Sequence, residues 1–243
     1  MASTSENGHA RNLTNFENLI VCVMSYGVNY APNKVSLQLP QLEGLLAQAE
    51  QALVAVTNTH SEYKVKVNER QTLFAQLKPL STRLMAALKN SDADKKLIED
   101  ANAFHLKIHG RRSNTKVKAN EVLAATAPTR ISVSQQSYTQ LIQHFEGLTS
   151  LLRLAPAYNP SHSDLQLANL VALKAELSQK SRAVMNTESN WIDARALRDN
   201  IFYKGTNALV EIAAAVKDEV KSIFGVNSTE FSKINKCLFK TLL

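Results

Sequence analysis

The chain has 243 residues and a net charge of +7, with 44% hydrophobic and 20% charged residues. This balance is typical of a folded, water-soluble chain and excludes wholesale disorder. Only seven glycines and six prolines interrupt the sequence, which favours long helices over a sheet with many tight turns.

The sequence shows no sign of export or of membrane insertion. Residues 1–12 are polar and lack the apolar core of a signal peptide. No apolar run approaches the roughly 18 residues that a membrane-spanning helix needs. The two cysteines form neither a disulfide framework nor a CxxC motif. We therefore expect a cytoplasmic protein.

The first half begins with a predicted flexible arm over residues 1–12 and a helix that starts at Thr14, where Glu17 completes a capping box. After a connector over 30–33, a long helix begins near Leu37 or Leu39, and Pro79 is expected to kink or end it. Apolar positions recur every three or four residues along this helix, which is the helical period. The stripe comprises Leu42, Leu45, Ala49, Ala52, Val56, Thr59, Tyr63, Val67, Arg70, Phe74 and Leu77.

A shorter helix is predicted from Ser91 to a C-capping glycine, Gly110. Residues 110–130 then form a basic linker, for which we expect a loop with one turn of helix. The second half starts near Ser132, which has Gln135 three residues on in another capping-box pattern.

The second long helix is expected to weaken at Gly205. The helix after it should end at Gly225, and Asn227 should cap a last helix. The apolar stripe of the second long helix comprises Leu170, Leu173, Leu177, Val184, Thr187, Trp191, Arg198 and Phe202.

The stretch from Tyr30 to Lys89 returns 128 residues later, between Tyr158 and Lys217, with 19 identical residues and no gap. Such self-similarity predicts a duplication, with one repeat over 13–109 and a second over 131–243. The long helix of one copy needs a partner for its apolar stripe, and the other copy can provide it. We therefore predict an all-α fold: an elongated helical bundle of two tandem copies with very long helices, packed in the manner of a coiled coil.

Two histidines, His105 and His109, stand four residues apart on one predicted helix face, which is the spacing of a two-histidine metal site. No third ligand and no HExxH motif accompany them, and the second copy has no such pair. The favoured interpretation is two histidines in a last helical turn, where positive charge suits the helix end. No catalytic residue and no cofactor is predicted.

Three pairs of residues recur between the copies and are expected to fix the packing. Arg70 and Arg198 lie within the apolar stripes, where each either finds a polar partner or sends its head to water. Asn58 and Asn186 are expected either to set the helix register or to flank the stripe. The third pair keeps an aromatic residue, Tyr63 in one copy and Trp191 in the other.

The leading functional prediction is a non-enzymatic structural protein that acts through helix-packing surfaces and self-assembles into an oligomer, a tubule or a filament. Its expected partner is therefore itself or another protein. One alternative is an adaptor for a protein partner, and another is a membrane-active, pore-forming-like protein, which the short apolar runs do not favour. Nucleic acid is not a favoured partner, because the basic linker lacks interleaved aromatic residues and any known binding motif.

Overall fold

The computed structural model describes residues 4–111 and 136–241, and within these ranges the chain is helical, without a β-strand. This confirms the predicted all-α class. Short 3₁₀ turns precede the two longest helices, at Val35–Leu37 and Ser163–Leu165. The helices are α1 Thr4–Ser25, α2 Leu39–Ala75, α3 Leu77–Lys89, α4 Lys95–Ile108, α5 Tyr138–Arg153, α6 Leu167–Asp199, α7 Leu209–Phe224 and α8 Thr229–Ile234.

The residues form two compact units. Unit 1 comprises Met1–Tyr63 and Asn186–Leu243, and unit 2 comprises Lys64–Met185. A unit is a set of residues that share a core, whereas a predicted repeat is a stretch of the chain. Each unit therefore takes residues from both predicted repeats.

Each unit has its own hydrophobic core, formed by helices from both halves of the sequence. In unit 1, Phe16 of α1 and Leu42 of α2 are buried in one cluster with Phe202 and with Leu209 of α7. Burial of side chains of this size is the main favourable term in folding. The core of unit 2 is built in the same manner, and its buried side chains include Phe74, Leu77, Leu84, Leu88, Ile108, Phe145, Leu148, Leu152, Leu170 and Leu177.

The apolar stripes predicted for the two long helices face these cores. In α2, Leu42, Ala49 and Phe74 are buried, and no residue of the predicted stripe is exposed. In α6, Leu170 and Leu177 are fully buried, and again every stripe residue is at least half-buried. Within the described residues, no helix is both long and apolar enough to cross a membrane.

Both long helices stop where the sequence predicts a disturbance. Helix α2 ends at Ala75, four residues before Pro79, because a proline cannot donate to the carbonyl four residues back and its ring clashes with it. Helix α6 ends at Asp199 and continues as a π-helical turn over Asn200–Lys204. The N–H of Gly205 closes that turn by donating to the carbonyl of Asn200 at 2.8 Å.

Glycines terminate α4 and α7 as expected. Gly110 has φ +73° and, with Arg111, donates back to the carbonyls of Lys107 and Leu106 at 3.1 and 2.8 Å. This pair of hydrogen bonds is a Schellman motif. Gly225 follows α7 with φ +86°. These left-handed conformations cost glycine nothing and strain any other residue.

Three predicted helix starts are wrong. Helix α1 begins at Thr4, within the residues predicted to be a flexible arm, and α4 begins at Lys95 rather than Ser91. Helix α8 is capped by Ser228, whose Oγ accepts from the N–H of Phe231 at 3.1 Å, and not by Asn227. The serine hydroxyl accepts the capping hydrogen bond that was expected from the asparagine side chain, one residue later in the chain.

The helical structure of the predicted arm was missed because it depends on distant residues. Asn12 is fully buried, and its side chain donates to the carbonyl of Lys240 at 2.8 Å and accepts from the N–H of Lys240 at 2.9 Å. His9 is also buried, with Nδ1 2.8 Å from the hydroxyl of Tyr203. Most of the predicted basic linker and the predicted Ser132 start lie outside the described residues.

Candidate functional site

A tyrosine anchors the connector before each long helix. The hydroxyl of Tyr30 donates to the carbonyl of Leu37 at 2.9 Å, and the hydroxyl of Tyr158 donates to the carbonyl of Leu165 at 2.8 Å. Burial raises the pKa of both tyrosines to about 12, so both stay protonated and able to donate near neutral pH. The two connectors thus hold the first turns of α2 and α6 in equivalent positions.

Unit 1 contains a cavity of about 460 Å³ next to its connector. One wall is the face of α2 that carries Gln41, Gly44 and Gln48, and the other is the segment from Asn200 to Ile212. The lining has six uncharged polar residues, five apolar ones and two glycines, and no charged residue. The polar members are Ser36, Gln41, Gln48, Asn200, Thr206 and Asn207.

One buried hydroxyl beside this cavity has no protein partner among the described residues. The Oγ of Ser36 is buried and has no hydrogen-bond partner among the described residues. A buried hydroxyl without a partner costs free energy, so such an atom calls for an explanation. The side chains of Gln41 and Gln48 are exposed at the mouth of the cavity.

The backbone of the second wall is unusual for a helical protein. It contains the π-helical turn Asn200–Lys204, a type of distortion that is frequent at functional sites. Asn207 has φ +60° and is the one non-glycine residue in the described ranges with a positive φ. A Cβ on Gly205 would lie 2.9 Å from the carbonyl oxygen of Asn200, so this position requires glycine. A positive φ at a non-glycine residue, such as Asn207, persists where the surrounding structure enforces it.

Unit 2 has larger or charged residues at the positions 128 residues away. Gly205 corresponds to Leu77, which is 1% exposed and fills the core of unit 2. Ser36 corresponds to Asp164, which forms an ion pair with Arg83. The hydrogen bond from Arg83 is the main reason why the pKa of Asp164 is lowered. The residues at these positions therefore differ in size and charge between the two units.

The predicted histidine pair lies between α3 and α4, around a serine. His105 Nδ1 and His109 Nε2 are each 3.2 Å from Oγ of Ser81, and the two rings are 4.4 Å apart. His109 Nε2 is also 3.2 Å from the carbonyl of Lys78, which only accepts, so this nitrogen carries the proton in that contact. Ser81 is 0% exposed, which keeps its hydroxyl away from a substrate.

The surroundings of His105 favour its neutral imidazole. Burial, followed by the charges of His109, Lys89 and Arg111, lowers the pKa of His105. Both ring nitrogens that face Ser81 are engaged in hydrogen bonds rather than left open for a metal ion. No group of three or more His, Cys, Asp or Glu within residues 8–111 and 136–241 is arranged to hold a metal.

The two recurring arginines meet different partners. The guanidinium of Arg70 lies 4.0 Å from the ring centre of Tyr138, a cation–π contact. Arg198 is 2% exposed and its Nη2 donates to a carboxylate oxygen of Asp199 at 2.8 Å. Buried arginine is tolerated when its charge is compensated in this way.

The recurring aromatic pair meets within unit 1. The rings of Tyr63 and Trp191 stack with centres 5.7 Å apart, and His60 lies 4.7 Å from Trp191. Asn58 and Asn186 are both exposed, which places them on the polar flank of their helices. The sequence predicted neither the contact between Tyr63 and Trp191 nor the cavity. The differences between positions 128 residues apart, such as Gly205 and Leu77, are the signal that could have revealed it.

The positive charge of the chain is concentrated in unit 2. Counted over the whole sequence, unit 2 has 18 Lys and Arg against nine Asp and Glu, whereas unit 1 has ten against twelve. The formal charges are therefore +9 and −2. Such a difference creates fields of opposite sign around the two units.

Comparisons of the chain with models of known protein families, with curated proteins and with solved structures found no match.

Proposed function

We propose that this chain is a non-enzymatic structural protein that acts through its helical surfaces and self-assembles into an oligomer, a tubule or a filament. The observation that supports the proposal is the charge difference, +9 for unit 2 against −2 for unit 1. Unit 2 of one copy attracts unit 1 of another, because complementary charge steers association and suppresses like-with-like contacts. Contacts between two different surfaces produce rings or open filaments.

Unit 1 also offers apolar area to such a contact. Val21 and Met24, three residues apart on one face of α1, are 60% and 54% exposed. Val28, in the turn that follows α1, is 93% exposed. Burial of these side chains against another copy adds a favourable hydrophobic term to the electrostatic one.

Light scattering and negative-stain electron microscopy at about 0.05 M and about 0.5 M salt test the proposal, because salt screens exposed charges. We expect large regular particles at low salt and smaller ones at high salt. The double variant Lys95→Glu/Lys96→Glu lowers the charge of unit 2 by four and should reduce assembly, whereas Lys95→Arg/Lys96→Arg retains it. A monomer of 26.8 kDa at both salt concentrations would show that the proposal is wrong.

The same proposal includes two tandem copies of one helical unit. Its support is the agreement between sites 128 residues apart: the 3₁₀ turns end at Leu37 and Leu165, and the helices begin at Leu39 and Leu167. The tyrosine hydrogen bonds of the two connectors match in the same register. A duplicated unit supplies two related surfaces, which suits repeated contacts between copies.

A second candidate is an adaptor that binds an acidic protein through unit 2. The excess of nine positive charges in unit 2 favours it. Isothermal titration with polyglutamate should show salt-sensitive binding, and the Lys95→Glu/Lys96→Glu variant should weaken it. Equal binding of polylysine would contradict the electrostatic basis of this candidate.

A further inference from the structure

The cavity of unit 1 has the composition of a binding site rather than of a packing defect. Its volume of about 460 Å³ lies within the range of small-molecule pockets. Empty packing defects are apolar, whereas this lining has six uncharged polar side chains. Pro40, Leu45 and Ile201 add apolar surface beside them.

The lining residues indicate which charge a bound molecule can carry. A charged ligand loses its hydration on entry and needs an opposite charge to offset that loss. No charged side chain lines the cavity. The carboxamides of Gln41, Gln48 and Asn200 each present both a donor and an acceptor, as hydroxyl and amide groups of a ligand also do.

A glycine lies on each wall of the cavity. A Cβ added to Gly44 would meet nothing within 4 Å. The opposite wall contains Gly205 and the π-helical turn Asn200–Lys204. Glycine inside a helix costs about 0.5–1 kcal/mol relative to alanine, so Gly44 is not explained by helix stability.

We propose that this cavity binds an uncharged small molecule rich in hydroxyl or amide groups. The carboxamides of Gln41, Gln48 and Asn200 hydrogen bond to that molecule. The apolar side chains of Leu45 and Ile201 contact its carbon atoms. This activity is independent of self-assembly, since every lining residue belongs to unit 1.

Saturation-transfer NMR on the full-length chain tests the proposal with defined probes. Glucose supplies hydroxyl groups alone, N-methylacetamide supplies an amide alone, and N-acetylglucosamine supplies both. Gluconate is the charged counterpart of glucose. We expect transfer to at least one neutral probe, and at least a tenfold weaker response with gluconate. The neutral probe that responds most strongly identifies whether hydroxyl or amide groups are recognised.

The variant Gly44→Leu adds a large side chain at the wall of the cavity, and its Cβ meets nothing within 4 Å. Its matched control is Ala172→Leu, at the exposed position 128 residues later, outside the cavity. We expect Gly44→Leu to abolish saturation transfer and Ala172→Leu to retain it, with both variants fully helical by circular dichroism. No transfer to any neutral probe, or transfer that Gly44→Leu leaves unchanged, would overturn the proposal.

Discussion

At the scale of single residues, a few buried polar groups decide how the connectors and helix ends are held. Tyr30 and Tyr158 each donate one hydrogen bond to a main-chain carbonyl seven residues on. That carbonyl ends a 3₁₀ turn and is buried with the tyrosine. Removal of the hydroxyl therefore leaves a buried acceptor without a partner, which costs more than the net value of the bond.

We predict that Tyr158→Phe lowers the free energy of unfolding by about 1–3 kcal/mol, because the carbonyl of Leu165 loses its donor. Urea denaturation measures the loss. Tyr63→Phe is the matched control: Tyr63 is half-buried and stacked, and within the described residues its hydroxyl has no hydrogen-bond partner. An equal loss in both variants would mean that the connector hydrogen bond contributes nothing of its own.

His105 gives the protein a predictable response to acid. Burial and nearby positive charges lower its pKa in the folded state below the ordinary value of 6.5. The unfolded chain then binds more protons than the folded chain as the pH falls below about 7, and stability decreases. The charged or titratable neighbours are His109 on α4, Lys89 on α3 and Arg111 after α4.

We expect the free energy of unfolding to fall between about pH 7 and pH 5, and His105→Gln to make this slope shallower. Denaturation by urea at a series of pH values gives both slopes. His162→Gln, which replaces a histidine whose side chain is 77% exposed, is the comparison for the loss of one imidazole. A slope that is identical in wild type and His105→Gln would show that His105 is not desolvated in the folded state.

At the scale of helices, the two interruptions of the long helices have different causes. Helix α2 stops because Pro79 removes a donor, and the chain resumes as a regular helix in α3. Helix α6 instead widens into the π-helical turn that borders the cavity. The second interruption has no proline, so the close approach of Gly205 to Asn200 maintains it.

Gly205→Ala is predicted to destabilise the protein by about 1–3 kcal/mol, as overpacking usually does, because its Cβ would lie 2.9 Å from the backbone oxygen of Asn200. Gly44→Ala is the contrasting variant, since its Cβ enters open space within a helix. It should stabilise the protein by about 0.5–1 kcal/mol. Thermal unfolding of both variants measures these changes in stability. A Gly205→Ala variant with unchanged stability would mean that the π-helical turn does not depend on this glycine.

The sequence predicted those features that depend on neighbouring residues. The spacing of three and four identified the buried faces of α2 and α6, and Pro79 and Gly110 marked helix ends, because each effect acts within one or two turns. The start of α1 was missed because Asn12 is ordered by Lys240, far along the chain. The cavity was missed because all but one of its lining residues differ from the residues 128 positions away, and a search for identities passes over differences.

At the scale of the whole molecule, each core joins residues from both halves of the sequence. The core of unit 1 joins Phe16 and Leu42 from the first half of the sequence with Phe202 and Leu209 from the second. The core of unit 2 joins Phe74 from the first half with Phe145 from the second. Neither half of the sequence contains a complete core, so a repeat is not a folding unit in this chain.

Division of the chain after Asn120 tests this arrangement. Each half alone would expose the residues that its missing partner covers, and an amphipathic helix without a partner has little stability of its own. We predict that the separate halves show no cooperative unfolding, and that an equimolar mixture recovers the helicity and the single sharp transition of the intact chain. A half that unfolds cooperatively as a monomer would show that one repeat builds its own core. In that case the shared cores would be a consequence of covalent connection, not a requirement for folding.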